Sequence, residues 1–148
     1  MREIITEIDI RARASQVWEI LMEFDAYPAW NPFIKKIAGK PADGSRLDVT
    51  LEPPGGGPMR FRPRVRAASP EREFRWKGSL YVPGIFDGEH QFIIEPASKN
   101  RVNFTQREQF SGILVPFLWK MLDTKTRKGF VAMNKALKLR AEKAGGVG

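Results

Sequence analysis

Polar and apolar positions change period twice along this chain. Near the N-terminus they alternate, with Ile4, Thr6, Ile8 and Ile10 on one side and Glu3, Glu7 and Asp9 mostly on the other. Period two predicts a strand with one buried face over residues 3–10. Val17, Ile20, Leu21 and Phe24 then recur at helical spacing. That predicts a helix over residues 15–24, with Ser15 as N-cap and Glu19 in the first turn. Alternation returns downstream. Leu47, Val49 and Leu51 mark a second strand, and Met59, Phe61, Pro63, Val65 and Ala67 a third. Phe74, Trp76 and Leu80 mark a fourth; His90, Phe92 and Ile94 a fifth; Val102, Phe104, Gln106, Glu108 and Phe110 a sixth. Turn signals at residues 42–45, 53–58, 82–88 and 96–100 separate them. Pro63 has no N–H for a ladder, so the third strand needs an edge or a bulge there.

The last change of period is the longest. Leu118, Leu122, Phe130, Met133, Leu137 and Ala141 line one face of a helix over residues 114–143. Lys125, Lys128, Lys135, Lys138 and Arg140 take the other face. Pro116 suits its start, and Gly145 and Gly146 supply its stop. So long an apolar stripe needs a broad surface to lie on. The strands supply one, in the order β-α-β-β-β-β-β-α. The fold class is therefore α+β: a curved antiparallel sheet of about six or seven strands round a long C-terminal helix. The helix at 15–24 and the corner at 25–34 close one end. In that corner Pro28 and Pro32 leave room for one helical turn and push Tyr27 and Asn31 toward extended backbone.

Composition narrows the function. At 148 residues one domain is expected, over residues 1–143, with a flexible tail at 144–148. No cysteine and a single histidine exclude disulfides, thiolate zinc sites and clustered imidazole ligands. No GxSxG elbow or P-loop is present. MREIITEIDI carries charges inside its apolar run, unlike a signal peptide, and the uncharged stretch at 112–119 is too short to span a bilayer. A cytoplasmic protein without cofactor or metal is the expectation.

The net charge of +8 favours anionic partners, yet no nucleic-acid motif accompanies it. Arg60, Arg62, Arg64 and Arg66 fall on one strand face. They form either a solvated outer surface or a weak contact for anionic membrane or an acidic protein. The apolar run Ile113–Trp119 exceeds what one helical face buries, and would serve as cavity lid, homodimer contact or membrane-touching lip.

Three segments carry a family resemblance: ASQVWEILMEFDAYPAWNPFI at 14–34, the pair GEHQFIIEP at 88–96 and VNFTQREQFSG at 102–112, and RKGFVAMNKALK at 127–138. With these the chain resembles the START-like SRPBCC superfamily, which has a helix-grip fold, and its polyketide cyclase/dehydrase-like group. The resemblance implies a cavity between sheet and helix for an apolar or aromatic small molecule, lipid-like or polyketide-like. Trp30, Phe61, Trp76 and Phe92 would wall it, with Phe104, Phe117, Met121 and Met133.

Polar groups on the inward faces give that cavity its chemistry. A turn centred near Ser98 places His90 across from Gln106 and Glu108 one diagonal step away. The three either satisfy one another or orient a ligand. The first function expected is a binding module. The alternative is a cyclase or dehydratase with His90 and Glu108 as its acid and base. A third reading is an interaction module docking through the basic strand.

Overall fold

The computed structural model describes residues 2–80 and 82–144. Gly145 and Gly146, and the tail beyond Ala144, lie outside the described residues. Eight strands are described. β1 (Arg2–Ile10), β5 (Arg64–Ser69), β6 (Glu73–Leu80), β7 (Phe86–Ser98) and β8 (Arg101–Ser111) form an antiparallel sheet in the order β1-β8-β7-β6-β5. β2 (Ile34–Ala38), β3 (Asp48–Leu51) and β4 (Met59–Phe61) form a second sheet in sequence order. The expected architecture is thus present, with a strand at 34–38 that short apolar spacing did not reveal.

Pro63 explains the split. The expected third strand breaks there into β4 and β5, because proline cannot continue the ladder. The gap is stitched from one side. Leu47 N–H donates to Pro63 O at 2.8 Å, and Val65 N–H to Ser45 O at 2.8 Å. The two sheets therefore join as one sharply bent surface.

The first helix, α1 (Ala14–Met22), begins one residue earlier than expected, with Arg13 at the N-cap and no side-chain cap. Ser15 lies inside the first turn, and Glu19 beyond it. A 3-10 turn at Phe24–Ala26 follows, then α2 (Tyr27–Trp30). Tyr27 is helical rather than extended. Burial holds it there: its ring is fully enclosed and its hydroxyl donates to Leu21 O at 2.7 Å. Burial also raises the phenol's pKa. Asn31 is extended as Pro32 requires, and its Oδ1 accepts from Phe33 and Ile34 N–H at 2.9 and 2.8 Å.

The terminal helix runs as α3 (Val115–Met121), a wider π-helical stretch at Leu122–Thr126, and α4 (Arg127–Ala144). Phe130, Met133, Leu137 and Ala141 are fully buried, as the stripe requires. Gly129 lets the helix approach the β2 entry: a Cβ there would run into the Phe33 ring. Close packing accounts for that glycine.

Candidate functional site

The site begins with the register of β7 and β8. His90 pairs directly with Glu108, and Phe92 with Gln106. The expected register, His90 across from Gln106, is displaced by one diagonal step. The reversal lies at Lys99–Asn100, and a bulge between Pro96 and Ser98 shifts the ladder. The three polar residues still meet.

His90 is almost wholly buried. Its Nε2 lies 3.0 Å from Gln106 Oε1, and its Nδ1 lies 3.3 Å from Glu108 Oε1. The direction of the network is fixed by one carbonyl. Gln106 Nε2 lies 3.2 Å from Phe130 O, which can only accept, so the amide nitrogen must face it. The same nitrogen donates to Asn134 Oδ1 at 2.7 Å, and Asn134 Nδ2 donates to Thr6 Oγ1 at 2.9 Å. Gln106 Oε1 is then an acceptor, and His90 Nε2 carries a hydrogen. Nδ1 is left facing Glu108, and a hydrogen bond across that contact needs a proton held between the two groups. The chain Thr6–Asn134–Gln106–His90 thus ends on a carboxylate.

That carboxylate opens into a cavity. The hollow holds about 50 Å³, room for roughly three or four waters at ~15 Å³ each. Its floor is made by two glycines. Gly78 on β6 and Gly88 on β7 are paired and lie on the inward side, two residues from Trp76 and His90. A Cβ at Gly88 would stand 2.5 Å from Glu108 Oε2. A Cβ at Gly78 would press on Pro63 and Phe61, so neither glycine could carry a side chain without narrowing the hollow that both line and Glu108 borders. Phe33, Phe110, Leu122 and Thr126 form the inner wall. Pro53, Met59, Phe61, Leu80 and Phe86 form the mouth, beside the turns at 53–58 and 82–85.

Of the expected ligand-binding residues, Phe61 and Glu108 line this cavity. The others are placed elsewhere. Trp76, Phe92 and Phe104 face inward, but at a deeper level that they fill themselves. Trp76 and Phe92 pack edge to face at 5.3 Å, and Phe92 stacks on His90 at 4.4 Å. His90 and Gln106 lie behind Glu108 rather than on the wall. Met133 belongs to the helix face over that packed region. Trp30 packs against Tyr27 at 5.3 Å and faces an outer groove between α1 and α4. Phe117 is 83% exposed and Met121 45%, because α3 turns them away from the sheet.

Asn134 was missed, although it stands four residues after Phe130, on the face where an amide is out of place. The Gly78–Gly88 rung was missed too. Glycine inside a strand marks close approach or missing volume, and both lay on inward positions. Among the described residues no three His, Cys, Asp or Glu side chains converge as a metal site requires.

A bent sheet gripping a long helix, with a carboxylate-edged hollow between them, defines a helix-grip cavity protein. The chain belongs to the polyketide cyclase/dehydrase and lipid transport family, whose model matches residues 1–142. An aromatase/cyclase from a Streptomyces species superposes with a TM-score of 0.80 at 18% identity, covering 99% of each chain. A START superfamily protein from Mycobacterium smegmatis gives 0.76 at 21% identity, covering 96% of this chain and 98% of that one. A di-domain ARO/CYC from the steffimycin biosynthetic pathway gives 0.78 at 14% identity, covering 98% of this chain. The chain spans about half the length of such di-domain proteins, 52% of that one and 47% of another. At these identities the likeness establishes the fold. No protein of curated function matches the chain by sequence.

Proposed function

We propose that the protein binds an apolar or aromatic small molecule in the hollow above the Gly78–Gly88 rung. One observation carries this reading: the inward sheet face carries paired glycines at a single rung, and the Glu108 carboxylate borders the space that they line. The family description, which names polyketide cyclases and lipid transport, supports the ligand class. The wall is largely apolar, so burial at ~25 cal/mol per Å² supplies most of the affinity, and Glu108 orients one polar group.

The hollow, at about 50 Å³, is smaller than the ~300–1,000 Å³ usual for ligand pockets. Binding therefore requires the mouth to widen. The walls that give way are the turns at 53–58 and 82–85, which carry no regular strand pairing of their own.

A second reading has its own support. Glu108 borders the cavity, and buried His90 backs it, with Nδ1 at 3.3 Å from Oε1. That arrangement suits acid–base work on a bound polyketide-like substrate, with Glu108 touching the substrate and His90 positioning it.

Native mass spectrometry of the freshly purified protein tests both readings. A small molecule retained, then recovered unchanged on denaturation, supports carriage. A substrate recovered lighter by one water supports the dehydratase. Bare protein, even after incubation with neutral fused-ring aromatics, rejects both.

A further inference from the structure

The outer side of the same sheet holds a second concavity, of about 480 Å³, within the range of ligand sites. Arg46, Arg62, Arg64, Arg66 and Lys77 line it, and among the described residues Asp87 is its one carboxylate. Asp87 is already engaged: it accepts from Ser79 Oγ at 2.5 Å and from Gly84 N–H at 3.0 Å. Glu89 pairs with Lys77 in the strand register, but its carboxylate turns toward Arg75 at 3.9 Å. Among the described residues, Arg62, Arg66 and Lys77 have no ion-pair partner.

Two of the arginines are held in place by backbone. Arg46 donates to Arg62 O at 3.0 Å, and Arg64 to Gly44 O at 2.7 Å. Arg46 and Arg64 also face each other across an isolated bridge, where like charges repel. Arginine is common on exposed strand edges, where it blocks unwanted pairing. That explanation does not apply here. Beside Arg64 and Arg66 the edge of β5 is already covered at Val65, since Gly44 N–H donates to Val65 O at 2.9 Å and Val65 N–H donates to Ser45 O at 2.8 Å. The hydrogen bonds of Arg46 and Arg64 give those two a structural role, while the charges of Arg62, Arg66 and Lys77 meet no counter-charge among the described residues.

We propose that this outer groove binds a compact, multiply charged phosphate group of the diphosphate type. Guanidinium forks match phosphate oxygens in pairs, and a concave cluster of five cations suits an anion that can enter it. A flat bilayer would touch only the rim. The groove opens on the other side of β6 from the inner hollow, with which it shares Gly78 and Ser79, and the proposal holds whether or not the inner hollow takes a ligand.

Calorimetric titration with inorganic pyrophosphate tests it, at low ionic strength and at ~0.15 M salt. The wild-type protein is expected to bind one equivalent saturably, and less tightly at the higher salt. Arg62→Gln with Arg66→Gln should weaken binding at least about tenfold, and Lys77→Gln should weaken it alone. These side chains are exposed and hold no structural bond, so an unchanged melting curve is expected. Lys128→Gln with Lys135→Gln removes the same charge from the exposed side of α4 and should leave binding as it was. Equal weakening by both pairs overturns the proposal, as does the absence of saturable binding at low salt. Binding to phosphatidylserine vesicles without binding to pyrophosphate also overturns it, in favour of a membrane contact.

Discussion

Two neighbouring rungs of the sheet differ in almost everything except position. Trp76 pairs with His90, and the next inward rung pairs Gly78 with Gly88. The first is packed solid: Phe92 stacks on His90, and Phe130 closes over the ring at 4.8 Å. The second carries no side chains of its own and lines the hollow, and the helix above it widens into a π-helical stretch that presents Leu122 and Thr126. π-turns recur where helices pass functional sites. The packed rung and its neighbours hold the fold together, which leaves the open rung free of that duty. Glu108 stands between them, tied to the packed side through His90 and bordering the open side.

The comparison breaks most visibly under truncation. Phe92→Ala removes a fully enclosed ring and should cost about 3–5 kcal/mol in urea unfolding. Phe61→Ala, at the half-buried mouth, should cost well under half as much. Equal losses would mean that the two regions carry the fold alike.

The next effect concerns the buried network. Gln106→Leu leaves His90 Nε2–H and Asn134 Oδ1 without their partner, and should cost about 1–3 kcal/mol by the same measurement. A slowly exchanging His90 ring proton is expected by NMR in the wild type and should disappear in the variant. A retained, protected proton would show that Gln106 does not set the direction of the chain.

Filling the open rung should matter less for stability. A Cβ at Gly88 meets only the end of the flexible Glu108 side chain. Gly88→Val should therefore shift stability by no more than about 1 kcal/mol, by urea unfolding, while it removes the space.

The smallest effect lies outside both regions. Hydrogen bonding from Arg107, helped by Gln109, holds the Glu3 carboxyl below the usual range. A lowered folded-state pKa stabilises above the unfolded value, and that contribution fades as pH falls through the folded one. Glu3→Gln should flatten the acid limb of the melting temperature against pH. An unaltered limb would show that this surface pair contributes nothing.

How much of this was legible follows from what pattern can encode. The period of Phe130, Met133, Leu137 and Ala141 is set by which face is buried, so the long helix and the strands around it could be read directly. The break at Pro63 was legible as chemistry, but its consequence, a chain passing from one sheet to another, depends on partners distant in sequence. His90, Gln106 and Glu108 were found because polar residues stood on faces that should be dry. Their register was misread by one diagonal step because the chain reverses at Lys99–Asn100, past Ser98, and the run Pro96–Asn100 does not say which of its residues make the turn. The cavity itself was read from the wrong signal. Large aromatics such as Trp76, Phe92 and Phe104 fill the interior; the space lies where side chains are missing.

The central claim is that the emptied rung, and no other surface, receives an apolar ligand. Titration with neutral 2-naphthol, followed through backbone amide shifts, tests it most directly. Shifts should cluster at Gly78, Gly88, Glu108 and Phe110, saturate together, and vanish in Gly88→Val. Shifts centred instead on the exposed Ile113 and Phe117, or surviving intact in Gly88→Val, would contradict it.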